Sequence, residues 1–69
     1  MPSFREKYEI DDVEVEHETS AALLCDINGE KVWIPKSQID DESEVFASGD
    51  RGSLVISQWI AEQKDLVER

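Results

Sequence analysis

Apolar residues gather on both sides of Asn28-Gly29, within the segment from Ala21 to Ile39. An Asn-Gly pair tolerates the positive φ angles of a type I′ turn, so this pattern predicts a two-residue β-hairpin. The second strand should end at Pro35, which has no amide hydrogen to donate to a ladder. The predicted cross-strand pairs are Ile27 with Glu30, Asp26 with Lys31, Cys25 with Val32, Leu24 with Trp33 and Leu23 with Ile34.

Both faces of this hairpin carry apolar side chains. One face holds Leu24 and Trp33 beside the Asp26–Lys31 pair, and the opposite face carries Leu23, Cys25, Ile27, Val32 and Ile34. Exposed apolar surface of this kind needs a cover, which is either another part of the chain or a partner. Phe4 and Tyr8 are the candidates within the chain, and core and interface roles for Trp33 both stay open.

Strict alternation from Val13 to Glu18 predicts a second strand element. Val13, Val15 and His17 should point to one face, and the other face should be purely acidic, with Asp12, Glu14, Glu16 and Glu18. Repelling carboxylates discourage edge-to-edge pairing, so the pattern favours an edge strand. Thr19-Ser20 should turn the chain into the hairpin, in a register that the sequence leaves open.

The second half of the chain alternates turns with short elements. After Pro35 we expect one helical turn that returns Ile39 to the core, and then an acidic loop over residues 40–44. Val45 and Phe46 form a short strand or a hydrophobic plug, and Ser53–Ser57 forms a strand. Ser57 should cap a helix over residues 58–68 whose apolar stripe, including Trp59, packs on the sheet.

Together these elements predict a mainly β, small α+β domain over residues 1–69, with residues 1–7 as a flexible tail. A curled antiparallel sheet or SH3-like barrel of four or five short strands, with one C-terminal helix, fits the pattern. An open sheet of three or four strands with the helix across one face is the alternative.

Charge narrows the functions that such a domain can have. The 69 residues include 17 acidic and 7 basic side chains, for a net charge of −10. This charge repels phosphate backbones and anionic membranes, so we expect neither as a direct ligand. A protein partner with a basic surface is favoured, and solubility alone is the competing explanation. No apolar segment is long enough to span a bilayer or to act as a secretory signal, which predicts a cytoplasmic protein.

The sequence shows no recognisable catalytic or metal-binding motif. His17 has no nucleophile placed beside it by any motif, and Cys25 lies among apolar residues that raise a thiol pKa. We therefore expect no enzymatic activity, cofactor or metal. The candidate interaction residues are acidic at Asp12, Glu14, Glu16, Glu18, Asp40, Asp41, Glu42 and Glu44, and apolar at Leu24, Trp33 and Pro35.

The spacing of these acids limits how closely they can imitate DNA. Alternate carboxylates on one strand repeat about every 6.6–6.8 Å, whereas each DNA strand carries a charge about every 3.4 Å. The strand acids alone supply about half the required density, so the loop over residues 40–44 would have to lie alongside them.

Three segments of the chain resemble a known group of proteins. They are E-T-x-x-A from Glu18, G-x-x-V-W-I-P-K-S-Q-I from Gly29, and V-x-x-x-W-x-A from Val55. This pattern, which spans residues 13–67, resembles small, largely uncharacterised phage and prophage accessory proteins, and similar segments occur in larger phage proteins from replication and recombination neighbourhoods. The resemblance implies a compact β-rich module in the host cytoplasm and no catalytic residue.

These observations predict a non-enzymatic, phage-related module that occupies a basic surface of a host or phage factor that handles nucleic acid, as an inhibitor or DNA mimic does. The first alternative is a structural or adaptor module that self-associates, for example as a homodimer, through the Leu24 and Trp33 face. The second is a weak binder of single-stranded nucleic acid that stacks bases on Trp33.

Overall fold

The computed structural model describes residues 5–66, which form one antiparallel sheet of four strands followed by a short helix. The strands lie in the order β3-β2-β1-β4, and the sheet is not closed into a barrel. The fold is mainly β in a small α+β arrangement, as predicted. Its elements are β1 (Lys7–Glu18), β2 (Ala22–Ile27), β3 (Glu30–Pro35), a 3-10 turn (Lys36–Gln38), β4 (Arg51–Ser57) and α1 (Gln58–Gln63).

The β2–β3 hairpin has the predicted register at every position from Leu23 to Ile34. Asn28 and Gly29 have φ angles of 53° and 86°, as a type I′ turn requires. The Gly29 N–H also donates to Asp26 Oδ1 at 3.0 Å, which stabilises the turn. The predicted end of β3 at Pro35 and the helical turn that follows are confirmed, and Ile39 is fully buried.

The prediction that β1 is an edge strand was wrong, because β1 lies between β2 and β4. Its twelve residues serve two partners: the C-terminal part from Glu14 pairs with β2, and the N-terminal part from Lys7 to Glu14 pairs with β4. An acidic face shows that one side of a strand meets solvent. It does not show whether the backbone on either side is paired.

Two irregularities in β1 decide which side chains face the core. The first lies between Ile10 and Val13, where Asp12 has a φ of 59° and the strand keeps both apolar residues on the inner face. The second lies between Val15 and His17, and it places His17 opposite Leu24. The predicted position of His17 beside the valines was therefore wrong, since a bulge shifts the alternation by one residue.

The core fills the inner face of the sheet. Val45 is fully buried in it and Phe46 packs against it, so this pair acts as the predicted hydrophobic plug. Tyr8 also packs against this core and pairs with Ile56, so it does not cover Trp33 on β3; Phe4 lies outside the described residues. The buried apolar cluster comprises Val13, Val15, Leu23, Cys25, Ile27, Ile34, Ile39, Val45, Leu54, Ile56, Ile60 and Ala61.

The helix begins as predicted and ends earlier. Ser57 Oγ accepts the Ile60 N–H at 3.2 Å, which is an N-cap bond. The helix ends at Gln63 because Asp65, with a φ of 58°, closes it with a Schellman motif: the Leu66 N–H donates to the Ala61 carbonyl and the Asp65 N–H to the Glu62 carbonyl. Without a glycine at that position the sequence carried no clear stop signal.

The predicted burial of Trp59 under the helix was wrong, since this side chain is 59% exposed. Ile60 and Ala61 are the helical residues that enter the core, and Leu66 packs beside them after the turn. Val67, the last residue of the predicted stripe, lies outside the described residues. Within residues 5–66, no helix has the length and apolar character needed to cross a bilayer.

Candidate interaction face

Cross-strand pairing places four charged residues in one line across the outer face of the sheet. Arg51 on β4 pairs with Glu14, Glu14 pairs with Asp26, and Asp26 pairs with Lys31. We call this line the charged row. Its order of charges is positive, negative, negative, positive, so two carboxylates are direct neighbours at its centre.

Both cations of the charged row are bound to carboxylates outside it. Arg51 donates from Nε at 3.1 Å and from Nη2 at 3.0 Å to Asp12 Oδ1, and this hydrogen bonding raises the pKa of Arg51. Lys31 pairs with Glu16, which raises the pKa of Lys31, and its ammonium stays 3.9 Å from Asp26. Glu14 has no ion pair within residues 5–66. Glu14 is therefore the carboxylate of the row without an ion pair, whereas Asp26 shares Lys31 with Glu16.

An apolar row lies beside the charged row on the same face. It consists of His17, Leu24 and Trp33, which pair across β1, β2 and β3. Trp33 is 45% exposed, and Leu24 is half-buried. Pro35 lies two residues beyond Trp33 on the same side of β3, so the structure brings the three predicted apolar residues together.

The predicted ladder of strand acids is not an open line of charge. Asp12 is held by Arg51, and Glu16 by Lys31. Glu18 accepts hydrogen bonds from Lys36 Nζ at 2.6 Å and from the Ser48 N–H at 3.4 Å, and these lower its pKa. Of the four, Glu14 is the one without a salt bridge in the described part of the chain.

The acidic loop is largely a structural element. Asp40 is fully buried, accepts the Glu42 N–H at 2.9 Å, and lies 3.6 Å from Lys7 Nζ. Glu42 pairs with the same lysine and raises its pKa, and Glu44 accepts the Ser53 N–H at 2.8 Å. These bonds fasten the loop to β1 and β4, so Asp40 does not contribute to the surface and Asp41 remains exposed.

Asp26 is the site residue that sequence reasoning missed. The hairpin register placed it opposite Lys31, which suggested a neutral pair. Its neighbour on the other side, Glu14, became visible only with the β1–β2 register, which includes a bulge. No signal in the sequence could have located that bulge.

Neither His17 nor Cys25 is arranged for catalysis with the other. Cys25 is buried on the inner face, where desolvation raises its pKa to about 11, whereas His17 is exposed on the outer face. The sheet separates them, so they do not form a nucleophile and base pair. Among residues 5–66, no group of three or more His, Cys, Asp or Glu side chains is placed to hold a metal ion.

Comparisons with family models, with curated proteins and with solved structures each give no match to this chain. The resemblance to phage accessory proteins therefore stays a prediction. The charged row and the apolar row are the features of the described chain that bear on its function.

Proposed function

We propose that this chain is a small, non-enzymatic protein-binding module whose outer face contacts a basic surface of another protein, such as a phage or host factor that handles nucleic acid. The observation that carries the proposal is the pair of adjacent carboxylates, Glu14 and Asp26, one row away from the half-exposed Trp33. An inhibitor that occupies a basic groove is the concrete form of this function.

The carboxylate pair favours a cationic ligand. Two like charges directly opposite each other on a sheet destabilise it, so the isolated chain holds unfavourable energy at Glu14 and Asp26. A lysine or arginine of a partner, placed between them, replaces this repulsion with two attractions. Arg51 and Lys31 supply only part of that relief, because Asp12 binds Arg51 and Lys31 is shared between Glu16 and Asp26.

The apolar row supplies the other half of a binding surface. Tryptophan is among the residues that dominate binding energy at interfaces when it becomes fully buried there. Trp33 has nearly half of its surface left to bury, and Leu24 and Pro35 widen the apolar area around it. An acidic patch beside an aromatic anchor suits a partner that presents basic and apolar side chains together.

DNA mimicry stays a prediction within this proposal. Regular imitation of a phosphate backbone receives little support, because Asp12, Glu16 and Glu18 are paired with bases and Asp40 is buried. A local negative patch around Glu14 is what remains for a basic groove to recognise.

Self-association is the second candidate, and the exposed Trp33 on a face without cover from residues 5–66 is the observation that favours it. Sedimentation at several concentrations, with Trp33→Ala for comparison, tests it.

Binding of single-stranded nucleic acid has less support, because Lys7, Lys31, Lys36 and Arg51 are all in ion pairs.

The test of the main proposal is affinity capture from a bacterial extract at about 0.1 M salt, with elution at about 0.5 M, where screening shortens to a few ångströms. The double variant Glu14→Gln/Asp26→Asn and the single variant Trp33→Ala should lose the captured protein. A double variant of ion-paired acids, Glu16→Gln/Glu18→Gln, changes the net charge equally and should retain it.

Equal capture by all variants, or capture that survives the salt step, would overturn the proposal. Added duplex DNA provides one more comparison. If DNA displaces the chain from its partner, the occupied surface is a nucleic-acid groove, whereas persistence of the complex contradicts the inhibitor form.

A further inference from the structure

The two edges of the sheet differ in how their backbone groups are satisfied. Beyond β4, residues 39–44 run along the strand: Ile39 bridges to Ile56, the Asp40 N–H donates to the Val55 carbonyl at 2.8 Å, and the Glu44 N–H donates to the Ser53 carbonyl at 2.9 Å. Beyond β3, the described part of the chain provides no such segment. The β3 edge is therefore the open edge.

The hairpin register identifies the groups that this edge presents. In a two-residue hairpin, the residues flanking the turn exchange hydrogen bonds, so the even-numbered residues of β3 point their N–H and C=O groups toward β2. The Lys36 N–H, which donates to the Ala21 carbonyl at 2.8 Å, continues that parity. Lys31 and Trp33 consequently direct one N–H and one C=O each away from the sheet, and Pro35 ends the row of donors.

The features that usually prevent pairing at an open sheet edge are weak along β3. Charged side chains and proline commonly protect such strands from pairing. Here the Lys31 ammonium is drawn across the outer face to Glu16, and Pro35 stands only at the far end. Two donors and two acceptors therefore remain accessible between the hairpin turn and the proline, which matches a short extended segment.

We infer that β3 is a docking edge to which an extended, cationic segment of the partner protein adds as a fifth strand. This inference rests on the proposed function and names the form of the partner's contact. Backbone bonds to Lys31 and Trp33 would supply affinity, and alternate side chains of the added strand would pack beside Trp33 on the outer face and beside the half-buried Val32 on the inner face.

Charge selects the occupant of the edge. Glu30 is exposed at the turn end of β3 and has no ion pair within residues 5–66, whereas Lys31 on the same edge is already paired with Glu16 and Asp26. A basic residue of the added strand meets Glu30, whereas a second copy of this chain would bring another net charge of −10 to the same edge. The cationic segment is therefore favoured over self-pairing.

The test uses the peptide acetyl-Lys-Val-Lys-Val-Lys-Val-amide as the probe, with acetyl-Glu-Val-Glu-Val-Glu-Val-amide as its charge control. Amide hydrogen exchange of the chain is followed by NMR with and without each peptide at low salt. The lysine peptide should slow exchange at Lys31 and Trp33 by at least about tenfold near saturation, and the glutamate peptide should not.

Two substitutions at position 31 distinguish the contribution of the backbone N–H to peptide binding from that of the side chain. Lys31→Pro removes an outward N–H that β2 does not use, and proline is tolerated at strand edges, so this variant should fold and bind the lysine peptide at least about tenfold more weakly. Lys31→Ala keeps the N–H and releases Glu16 and Asp26 from their pairs with the lysine, so it should bind the lysine peptide more tightly than Lys31→Pro and at least as tightly as the parent. The amide protection in the parent chain tests the inference even if Lys31→Pro does not fold.

The outcomes distinguish this inference from the function it rests on. Binding of the lysine peptide without protection of Lys31 and Trp33 overturns strand addition and leaves the acidic face as a binding surface. Absence of any binding, while the capture experiment succeeds, also overturns strand addition alone. Protection that appears in the free chain as its concentration and the salt rise identifies a second copy as the occupant and overturns the cationic one.

Discussion

Replacing Glu14 with glutamine should stabilise the fold, although it removes charge from the surface that we propose for binding. Glu14 lies directly opposite Asp26, and it forms no salt bridge within residues 5–66, because its neighbour Arg51 on the other side is bound to Asp12. Glutamine keeps the length and shape of the side chain. The substitution therefore tests the electrostatics of the pair with little change in packing.

The size of the effect follows from the register. Directly opposed residues have Cβ atoms about 4.5–5.5 Å apart, so the two carboxylates are roughly 6 Å apart. Their repulsion is about 0.7 kcal/mol in water and about 3 kcal/mol at an effective dielectric constant of about 20, and physiological salt roughly halves it. Like-charged cross-strand pairs destabilise sheets by amounts near the low end of this range. We therefore expect Glu14→Gln to raise the free energy of unfolding by about 0.5 kcal/mol, or the Tm by about 2–4 °C.

The assay is urea unfolding at pH 7, followed by tryptophan fluorescence, because urea leaves the ionic strength free to vary. The gain should be largest at low salt and should shrink as the salt approaches about 1 M. Glu16→Gln is the matched control: it changes the net charge equally but breaks the pair with Lys31, so it should not stabilise. Asp26→Asn keeps the bond from the Gly29 N–H but loses the 3.9 Å pair with Lys31, so it should stabilise less than Glu14→Gln.

The double variant at positions 14 and 26 should gain less than the sum of the two single gains, because one repulsion can be removed only once. Equal stabilisation by Glu14→Gln and Glu16→Gln would show that overall charge, and not this pair, sets the effect. Destabilisation by Glu14→Gln would refute the assignment of Glu14 as uncompensated.

Other measurements test the core, the helix cap and the response to acid. Burial raises the Cys25 pKa from 9.0 to about 11, so near pH 8 its thiolate fraction is about a hundredfold below that of the unfolded chain. A thiol reagent should therefore label the folded protein at least that much more slowly, and fast labelling would contradict core burial. Ser57→Ala removes the helix cap and a 2.6 Å bond to Gln38, so the free energy of unfolding in urea should fall by about 1–2 kcal/mol. An unchanged unfolding midpoint would contradict the cap. Hydrogen bonding to Lys36 lowers the folded pKa of Glu18, so the stabilisation from this bond is present above about pH 4.5 and is lost as the pH falls through the folded pKa. Glu18→Gln should therefore flatten the acid limb of a curve of stability against pH, and an unchanged limb would contradict this role of Glu18.

The sequence alone determines the local features of this protein. The hairpin register, the end of β3 at Pro35 and the Ser57 cap depend on residues within a few positions of one another, so turn chemistry and alternation were sufficient to predict them. The burial of Cys25 follows from the same alternation. These features account for the mainly β fold and for the placement of Leu24 beside Trp33 on one face.

Only the tertiary structure decided what surrounds those features. The central position of β1, its two bulges and the burial of Asp40 depend on pairing between segments far apart in the chain, which local patterns do not encode. A bulge changes the face of every residue beyond it, so His17 moved outward. The same long-range register brought Glu14 against Asp26 and placed Asp12 and Glu16 where they bind the neighbouring bases, which is why the candidate site could not be read from charge along the sequence.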